Sequence, residues 1–213
     1  MSNIGTYENT YREFTWVVPE YFNFAFDVVD NWAKDASKLA MLWVSEDGQT
    51  EKLTYQYFQT RSNQVANTLE LLGLKKGDTV LLLMSRIPAW WELVLGMIKL
   101  GVVFMPATTQ LTSKDIVYRV EVSQACAVIT DQENALKFDA IRENLPQVKN
   151  FLLVGEKQEN WHCYSDLIEK ASTNFNPQEK TYNTDPLLLY FTSGTTGYPK
   201  MVLHTHSSYP IGH

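Results

Sequence analysis

Nine consecutive residues combine hydroxyls, glycines and one cation in a pattern that suits an anion. Glycines let backbone N–H groups approach phosphate oxygens closely, and hydroxyls add further donors. Lys200 adds a flexible point charge, and Pro199 restricts its own φ and the backbone of the residue before it. The segment is therefore predicted to be a phosphate-binding loop. It runs Thr192, Ser193, Gly194, Thr195, Thr196, Gly197, Tyr198, Pro199, Lys200.

The same residues do not match the phosphate-binding loop of the P-loop NTPases. That motif requires a glycine, four further residues, and then Gly-Lys followed by Ser or Thr. Here Gly194 and Gly197 are three positions apart, and Met201 follows Lys200. The missing hydroxyl removes the side chain that binds Mg²⁺ in that class. A Ser/Thr/Gly-rich surface turn is the simpler alternative, and the buried strand predicted before the loop argues against it.

Alternating strands and helices predict where this loop lies. An apolar strand, Leu187–Phe191, precedes it, and a short strand, Met201–His204, follows it. Upstream, apolar runs without polar alternation indicate strands covered on both faces. This alternation predicts an α/β fold with a doubly wound, mostly parallel sheet and flanking helices. The strands are predicted at Val80–Met84, Val102–Met105, Ala125–Thr130 and Phe151–Val154, and the helices at Pro88–Leu100, Thr112–Val122, Glu133–Leu145 and Asp166–Ala171.

The residues before this alternation predict two further helices and a hairpin. Apolar residues at three- and four-residue spacing indicate a helix over Phe22–Ala33. The Asp47-Gly48 turn joins predicted strands Leu39–Val44 and Glu51–Thr54, because glycine tolerates positive φ. A second helical face runs from Phe58 to Leu72.

Composition limits the function classes. The chain has 213 residues, 45% of them hydrophobic, and a net charge of −6 without a run of like charges. This balance argues against nucleic acid or an acidic membrane surface as the main partner. The longest apolar region, Leu93–Met105, is too short for a membrane span. Cys126 and Cys163 are too few for a disulfide framework, and no leader-like segment is seen, so a cytoplasmic protein is expected.

The string TSGTTG-x-PK, placed after a buried strand, resembles the nucleotide loop of the adenylate-forming superfamily of AMP-dependent synthetases and ligases. The resemblance implies that the chain holds the first part of the large N-terminal domain of such an enzyme. Residues 37–213 are expected to be that part, truncated after the phosphate loop. Residues 1–36 are expected to be an N-terminal helical extension.

Two features resemble the medium-chain acyl-CoA synthetases. Met201 follows the lysine, where most of the superfamily has glycine, and Pro106–Gln110 resembles that subfamily's loop. Residues Val202–Thr205, however, are more similar to the acetyl- and propionyl-CoA synthetases. The resemblance implies an acid–CoA ligase that converts a short- or medium-chain fatty acid, ATP and coenzyme A into an acyl-CoA thioester through an acyl-adenylate. It gives Lys200 a catalytic role, Thr192–Lys200 the ATP phosphates, and Gln110 coenzyme A. Mg²⁺ is expected to be held mainly by the phosphates and by residues beyond this chain.

Other functions remain open at this stage. The chain could belong to another adenylating enzyme, such as a peptide-synthetase adenylation domain, although Met201 and Gln110 argue against that. It could also be a non-catalytic nucleotide-binding module that ends at His213. The resemblance further implies that the adenine, ribose and Mg²⁺ segments and a C-terminal catalytic lysine follow the loop, so the chain alone is expected to be inactive.

Overall fold

A computed structural model describes residues 5–193 and 197–212 of the chain. The strands are β1 Leu39–Val44, β2 Thr50–Thr54, β3 Thr79–Leu83, β4 Val103–Ala107, β5 Ala127–Asp131, β6 Asn150–Val154, β7 His162–Cys163, β8 Pro186–Thr192 and β9 Lys200–Thr205. The α-helices are α1 Tyr7–Glu13, α2 Tyr55–Leu71, α3 Pro88–Leu100, α4 Ser113–Ser123, α5 Ala135–Asp139, α6 Tyr164–Ile168 and α7 Ser208–Gly212. The described residues also contain a π-helix, Ala25–Asp30, and a 3₁₀ turn, Arg142–Asn144.

Strands β7, β6, β5, β3, β4, β8 and β9 form one seven-stranded sheet in that order. All neighbouring pairs are parallel except β8 and β9, which form an antiparallel hairpin. The predicted mostly parallel sheet is therefore confirmed, with an antiparallel strand at one edge. Strands β1 and β2 pair separately, across the predicted Asp47-Gly48 turn.

Strand β3 shows why the sheet is covered on both faces. Side chains alternate between the two faces of a strand. Val80 and Leu82 pack into the core beneath α2 and α3, whereas Leu81 and Leu83 pack against α4 and the residues around Phe138. These four side chains are fully buried. The sheet is therefore doubly wound, as the continuous apolar pattern of β3 predicts.

The predicted residues at the ends of α3 and at the start of α4 are confirmed. Helix α3 begins at Pro88, whose missing N–H costs nothing in a first turn, and ends before Gly101 at φ 81°. Helix α4 begins with a reciprocal capping box: Thr112 accepts from the Asp115 backbone, and the Asp115 carboxylate accepts from the Thr112 backbone. The second cap fixes the start of α4, which follows the loop that contains Gln110.

Helix α6 begins two residues earlier and ends three residues earlier than the predicted helix Asp166–Ala171. Two other predicted helices are not continuous α-helices. The helix predicted at Phe22–Ala33 contains a π-helical turn, and Asp30 at its end pairs with the buried Lys99. The predicted helix Glu133–Leu145 is split into α5 and the 3₁₀ turn, yet Phe138, Ile141 and Leu145 remain buried. Two short helical segments in series satisfy the same apolar spacing as one helix. The split occurs at Asp139, whose carboxylate accepts hydrogen bonds from Trp161 and Arg142.

Candidate functional site

The predicted phosphate loop occupies the tip of the β8–β9 hairpin. Thr192 pairs with Lys200 across this hairpin, and the Thr192 hydroxyl lies 3.5 Å from the Lys200 carbonyl oxygen. Gly194, Thr195 and Thr196 lie outside the described residues. Because β8 runs parallel to the rest of the sheet, its C-terminal end carries the loop to the edge where open α/β sheets bind ligands.

The described part of the loop offers donors to an anion. Thr192, Ser193 and Lys200 are exposed, so their hydroxyl and ammonium groups are accessible. Gly197 has φ 103°, a conformation that side chains rarely adopt, and a Cβ atom there would meet open space. Backbone conformation, not crowding, therefore favours glycine at this position. Within residues 5–193 and 197–212, no carboxylate pairs with Lys200.

Helix α4 contacts the C-terminal half of this loop through one side chain. The Tyr118 hydroxyl donates to the Pro199 carbonyl oxygen at 3.1 Å. Its ring stacks on Tyr198, with centroids 4.7 Å apart and planes inclined by 24°. Sequence reasoning missed Tyr118, because 81 residues separate it from Pro199. The one sequence signal for this contact was Tyr198, an aromatic residue at the variable position of the loop motif, which could stack on a second ring.

Gln110 lies in the loop between β4 and α4, with an exposed side chain. Its backbone N–H donates to the Thr108 hydroxyl at 3.2 Å, which forms a tight turn at the strand end. Strands β4 and β8 are parallel neighbours, so the Gln110 loop and the phosphate loop emerge from the same edge of the sheet. Direct contact between Gln110 and coenzyme A stays a prediction.

A chain of hydrogen bonds connects the Gln110 loop to residues that follow β3 and β5. The Lys137 ammonium group donates to the Thr109 carbonyl oxygen and, at 3.0 Å, to Asn134 Oδ1. Asn134 Nδ2 donates to Asp131 Oδ1 at 2.6 Å, and the Ser85 backbone N–H donates to Asp131 Oδ2 at 2.6 Å. Asp131 and Asn134 are buried. The network therefore ties the C-terminal ends of β3 and β5 to the loop after β4.

Two cavities lie beside the first turn of α3. An apolar cavity of about 580 Å³ lies between α3, β1 and β8, and a more polar cavity of about 650 Å³ lies over the ends of β3 and β4. Both are lined by Trp90, Trp91, Tyr190 and Tyr209. The two tryptophans are partly buried and pack against the core, and they also form part of the wall shared by the two cavities.

Neither histidine of β9 and its following turn lies at the loop. His204 pairs with Leu188, near the start of β8, and its ring packs edge-on against Tyr190 and Tyr209. His206 is buried and follows the far end of β9. Burial lowers the pKa of His206 to about 4, although Asp185 opposes that shift. His206 therefore belongs to the structural core.

Among residues 5–193 and 197–212, no group of three or more His, Cys, Asp or Glu side chains is arranged to hold a metal ion. The described helices include none with the length and apolar character needed to cross a bilayer. His162 and Cys163 form β7 at one edge of the sheet.

Comparison with known proteins gives consistent matches. The family described as AMP-binding enzyme matches residues 28–210. Human acyl-coenzyme A synthetase ACSM3, mitochondrial, is 37% identical over 99% of this chain, and human ACSM5, mitochondrial, is 39% identical over 92% of it. The chain spans only 37% and 35% of the lengths of these two relatives.

Solved structures agree with the fold. The anthranilate CoA ligase AuaEII, in complex with anthranoyl-AMP, matches with a TM-score of 0.82 and 30% identity, over 91% of this chain and 36% of that one. An acyl-CoA synthetase from Brucella canis matches with a TM-score of 0.85 over 95% of this chain and 38% of that one. Its 22% identity supports the fold alone.

The expected cytoplasmic location is wrong according to these relatives. ACSM3, ACSM5 and rat ACSM4, which is 39% identical over 92% of this chain, are all mitochondrial proteins. Reduced cysteines and a balanced composition indicate a reducing compartment, and such features do not distinguish the cytosol from the mitochondrial matrix.

Proposed function

Because the chain belongs to the AMP-binding enzyme family, we propose that it forms the ATP-phosphate-binding part of an acid–CoA ligase. In this proposal, residues 37–213 are the first part of the adenylating domain, and residues 1–36 precede it. Its substrates are ATP, coenzyme A and a short- or medium-chain fatty acid. The term "extended protein" means this chain followed by the further residues that would bring it to the full length of its relatives.

The single observation that carries the proposal is the position of the Thr192–Lys200 loop. It joins an antiparallel hairpin at the C-terminal edge of a doubly wound sheet, with exposed hydroxyls and an ammonium group that no described carboxylate neutralises. The donor set suits the oxygens of a triphosphate, since hydroxyls and lysine both donate to anions. A surface turn with no ligand would not require this concentration of donors.

The proposed reaction has two steps. A carboxylate oxygen attacks the α-phosphorus of ATP, and the bond to pyrophosphate breaks, which leaves an acyl-adenylate. The coenzyme A thiolate then attacks the acyl carbon, and AMP leaves with the electron pair of the mixed anhydride bond. Mg²⁺ would be held mainly by the phosphates and by residues beyond this chain, and it would supply neutralisation of phosphate charge in the first step.

The residues of this chain act in the first step. Negative charge builds on the pyrophosphate as it leaves, and donors already aimed at it stabilise that charge without reorganisation. The hydroxyls of Thr192 and Ser193 and the ammonium group of Lys200 are such donors. In the second step, Gln110 is proposed to contact coenzyme A from the neighbouring strand end, which is adjacent because β4 and β8 pair.

Two observations support a fatty acid as the carboxylate. Met201 and the Pro106–Gln110 segment resemble the medium-chain subfamily, and the curated relatives named above are acyl-coenzyme A synthetases. The anthranilate CoA ligase at 30% identity makes an aromatic acid the competing substrate class.

The experiment is carboxylate-dependent exchange of pyrophosphate into ATP by the extended protein, with butyrate, octanoate and anthranilate compared. We expect exchange with a fatty acid and AMP release only when coenzyme A is added. Exchange without coenzyme A-dependent turnover would indicate another adenylating enzyme. Nucleotide binding without exchange, or a natural stop codon directly after residue 213, would indicate a non-catalytic module.

A further inference from the structure

We propose that Tyr118 is the positioning residue of the phosphate loop, and that it fixes the backbone from which Lys200 reaches the triphosphate. This inference rests on the proposed function for its kinetic consequence, although its structural part can be tested without any activity. Tyr118 lies on α4, far from the loop in sequence, and no part of the loop motif includes it.

The contact has two components that act on consecutive loop residues. The Tyr118 ring stacks on the Tyr198 ring at 4.7 Å, and its hydroxyl donates to the Pro199 carbonyl oxygen at 3.1 Å. Lys200 follows directly and begins β9. The Tyr118 side chain therefore holds both the Tyr198 ring and the Pro199 carbonyl group. These two residues directly precede Lys200, the proposed catalytic residue.

Tyr118 is held rigidly enough to serve this purpose. Its helix is capped by Thr112 and Asp115, and it buries Ile116 and Val120 in the core. The position of the phenol ring is therefore set by the body of the domain, not by the loop.

The same region of α4 also contacts the strand that leads into the loop. The Tyr118 ring meets Phe191 edge-on at 6.2 Å, and the Arg119 guanidinium lies 5.0 Å from the centre of the Phe191 ring. Phe191 belongs to β8, one residue before Thr192. Helix α4 therefore contacts Phe191, just before the loop, and Tyr198 and Pro199 near its end. We call this set of contacts, made by Tyr118 and Arg119, the clamp.

The Thr192–Lys200 pairing of the β8–β9 hairpin holds the two ends of the loop, but it does not reach Tyr198 and Pro199. Tyr198 is 65% exposed, and Gly197 and Pro199 contribute flexibility and a missing N–H donor. An exposed aromatic ring stacked on a second ring gains dispersion and excludes water from the hydrogen bond beside it. Without Tyr118, the order of Tyr198 and Pro199 would have to come from ATP binding.

The first test uses the chain itself and needs no ligand. Trypsin cleaves after Lys200 and releases residues 201–213. The rate of this cleavage reports how often the backbone at Pro199 and Lys200 opens away from Tyr118. Cleavage after Lys157, whose side chain is 82% exposed, is the internal reference. Val122→Ala on the same helix is the matched control, since Val122 is 36% exposed and is not part of the clamp.

We expect Tyr118→Phe to raise the rate of cleavage after Lys200 about five-fold, the effect of one lost hydrogen bond. Tyr118→Leu should raise it about thirty-fold, because the stacking is lost as well. Cleavage after Lys157 should not change in either variant. Equal cleavage after Lys200 in wild type, Tyr118→Phe and Tyr118→Leu would overturn the proposal, and so would an equal increase in Val122→Ala.

The second test is kinetic and uses the extended protein. We expect Tyr118→Phe to raise the KM for ATP about five-fold with kcat within two-fold of wild type, because the loop must be ordered before the triphosphate binds. The thioester step, started from preformed acyl-adenylate, should be unaffected. An unchanged KM for ATP in Tyr118→Leu would overturn the positioning role. If wild type shows no ligase activity, the proposed function fails, and the trypsin result still decides whether Tyr118 holds the loop.

Discussion

The Lys99 ammonium group lies wholly inside the protein and donates to both carboxylate oxygens of Asp30, at 2.8 and 2.9 Å. Asn63 Oδ1 accepts a third hydrogen bond at 2.7 Å, and the Phe26 ring centre lies 5.2 Å away. Burial lowers the pKa of Lys99, and Asp30 opposes that shift. This pair joins the π-helix to α3 and therefore connects the N-terminal segment to the domain core.

Removing Asp30 is expected to destabilise the fold. Asp30→Ala leaves an uncompensated charge in the core and should lower the free energy of unfolding by about 3 kcal/mol, measured by urea unfolding of the extended protein. The control is Lys157→Ala, which breaks an exposed pair with Asp166 and should cost less than about 0.5 kcal/mol. A loss from Asp30→Ala no larger than that of the control would show that the buried pair contributes nothing.

The buried ring of His206 predicts a loss of stability in acid. Its pKa is about 4 in the folded protein and 6.5 as a reference value, so between these values the unfolded chain binds a proton that the folded chain excludes. Stability from this group is therefore complete above pH 6.5 and falls as the pH drops toward 4. At pH 5 the loss should be about 2 kcal/mol.

The measurement is the free energy of unfolding between pH 7.5 and 5 for wild type and His206→Asn. The variant should lose about 2 kcal/mol less over this range. His162→Asn is the control, because the His162 side chain is exposed, and it should follow wild type. Parallel pH curves for wild type and His206→Asn would contradict the burial of a neutral imidazole.

The network beneath Gln110 predicts an effect on coenzyme A. Lys137→Met removes the donor to the Thr109 carbonyl oxygen, so the turn that carries Gln110 should loosen. In the extended protein we expect the KM for coenzyme A to rise about five-fold, the effect of one hydrogen bond, with the KM for ATP unchanged. Lys114→Met, an exposed lysine at the start of α4, is the control. Equal effects on both substrates would mean general loss of structure.

The outer edge of β9 predicts self-association of the chain. No described strand pairs with that edge, and Met201, Val202 and Leu203 are 47%, 37% and 54% exposed. Unpaired edges with apolar side chains recruit further strands. Residues 1–213 should therefore associate with increasing concentration in light scattering, and Val202→Lys should suppress this. Leu136→Lys, at an apolar residue 75% exposed on α5, should not. A monomer at all concentrations would contradict the prediction.

The elements that the sequence predicted well are those with local signals. Helix α3 matches its predicted bounds, because Pro88 and Gly101 mark its two ends directly. Strand β3 was recognisable because four successive apolar residues can be buried only between two helical layers. The residue types of the Thr192–Lys200 loop are contiguous, so the pattern behind its predicted phosphate-binding role is local.

The features that the sequence did not predict depend on contacts between distant residues. The antiparallel direction of β9 is decided by pairing across the loop, such as Thr192 with Lys200. The Tyr118–Pro199 bond spans 81 residues, and the bond from Lys137 to Thr109 spans 28. Neither has a local pattern, since a tyrosine or lysine on a helix is equally compatible with a solvated face.

The central prediction concerns Lys200→Ala in the extended protein. The Lys200 ammonium group is expected to contact the phosphates more strongly as pyrophosphate leaves than in the ground state. Removing one such donor typically costs on the order of 100-fold, or about 3 kcal/mol. The thioester step should be much less affected, because pyrophosphate has already left.

The most direct measurement is single-turnover kinetics of the two half-reactions at saturating ATP, with Lys157→Ala as the control for loss of an exposed lysine. The account predicts that Lys200→Ala slows formation of the acyl-adenylate about 100-fold and leaves its conversion to the thioester near the wild-type rate. An unchanged rate of adenylate formation at saturating ATP would contradict the account and remove Lys200 from the mechanism.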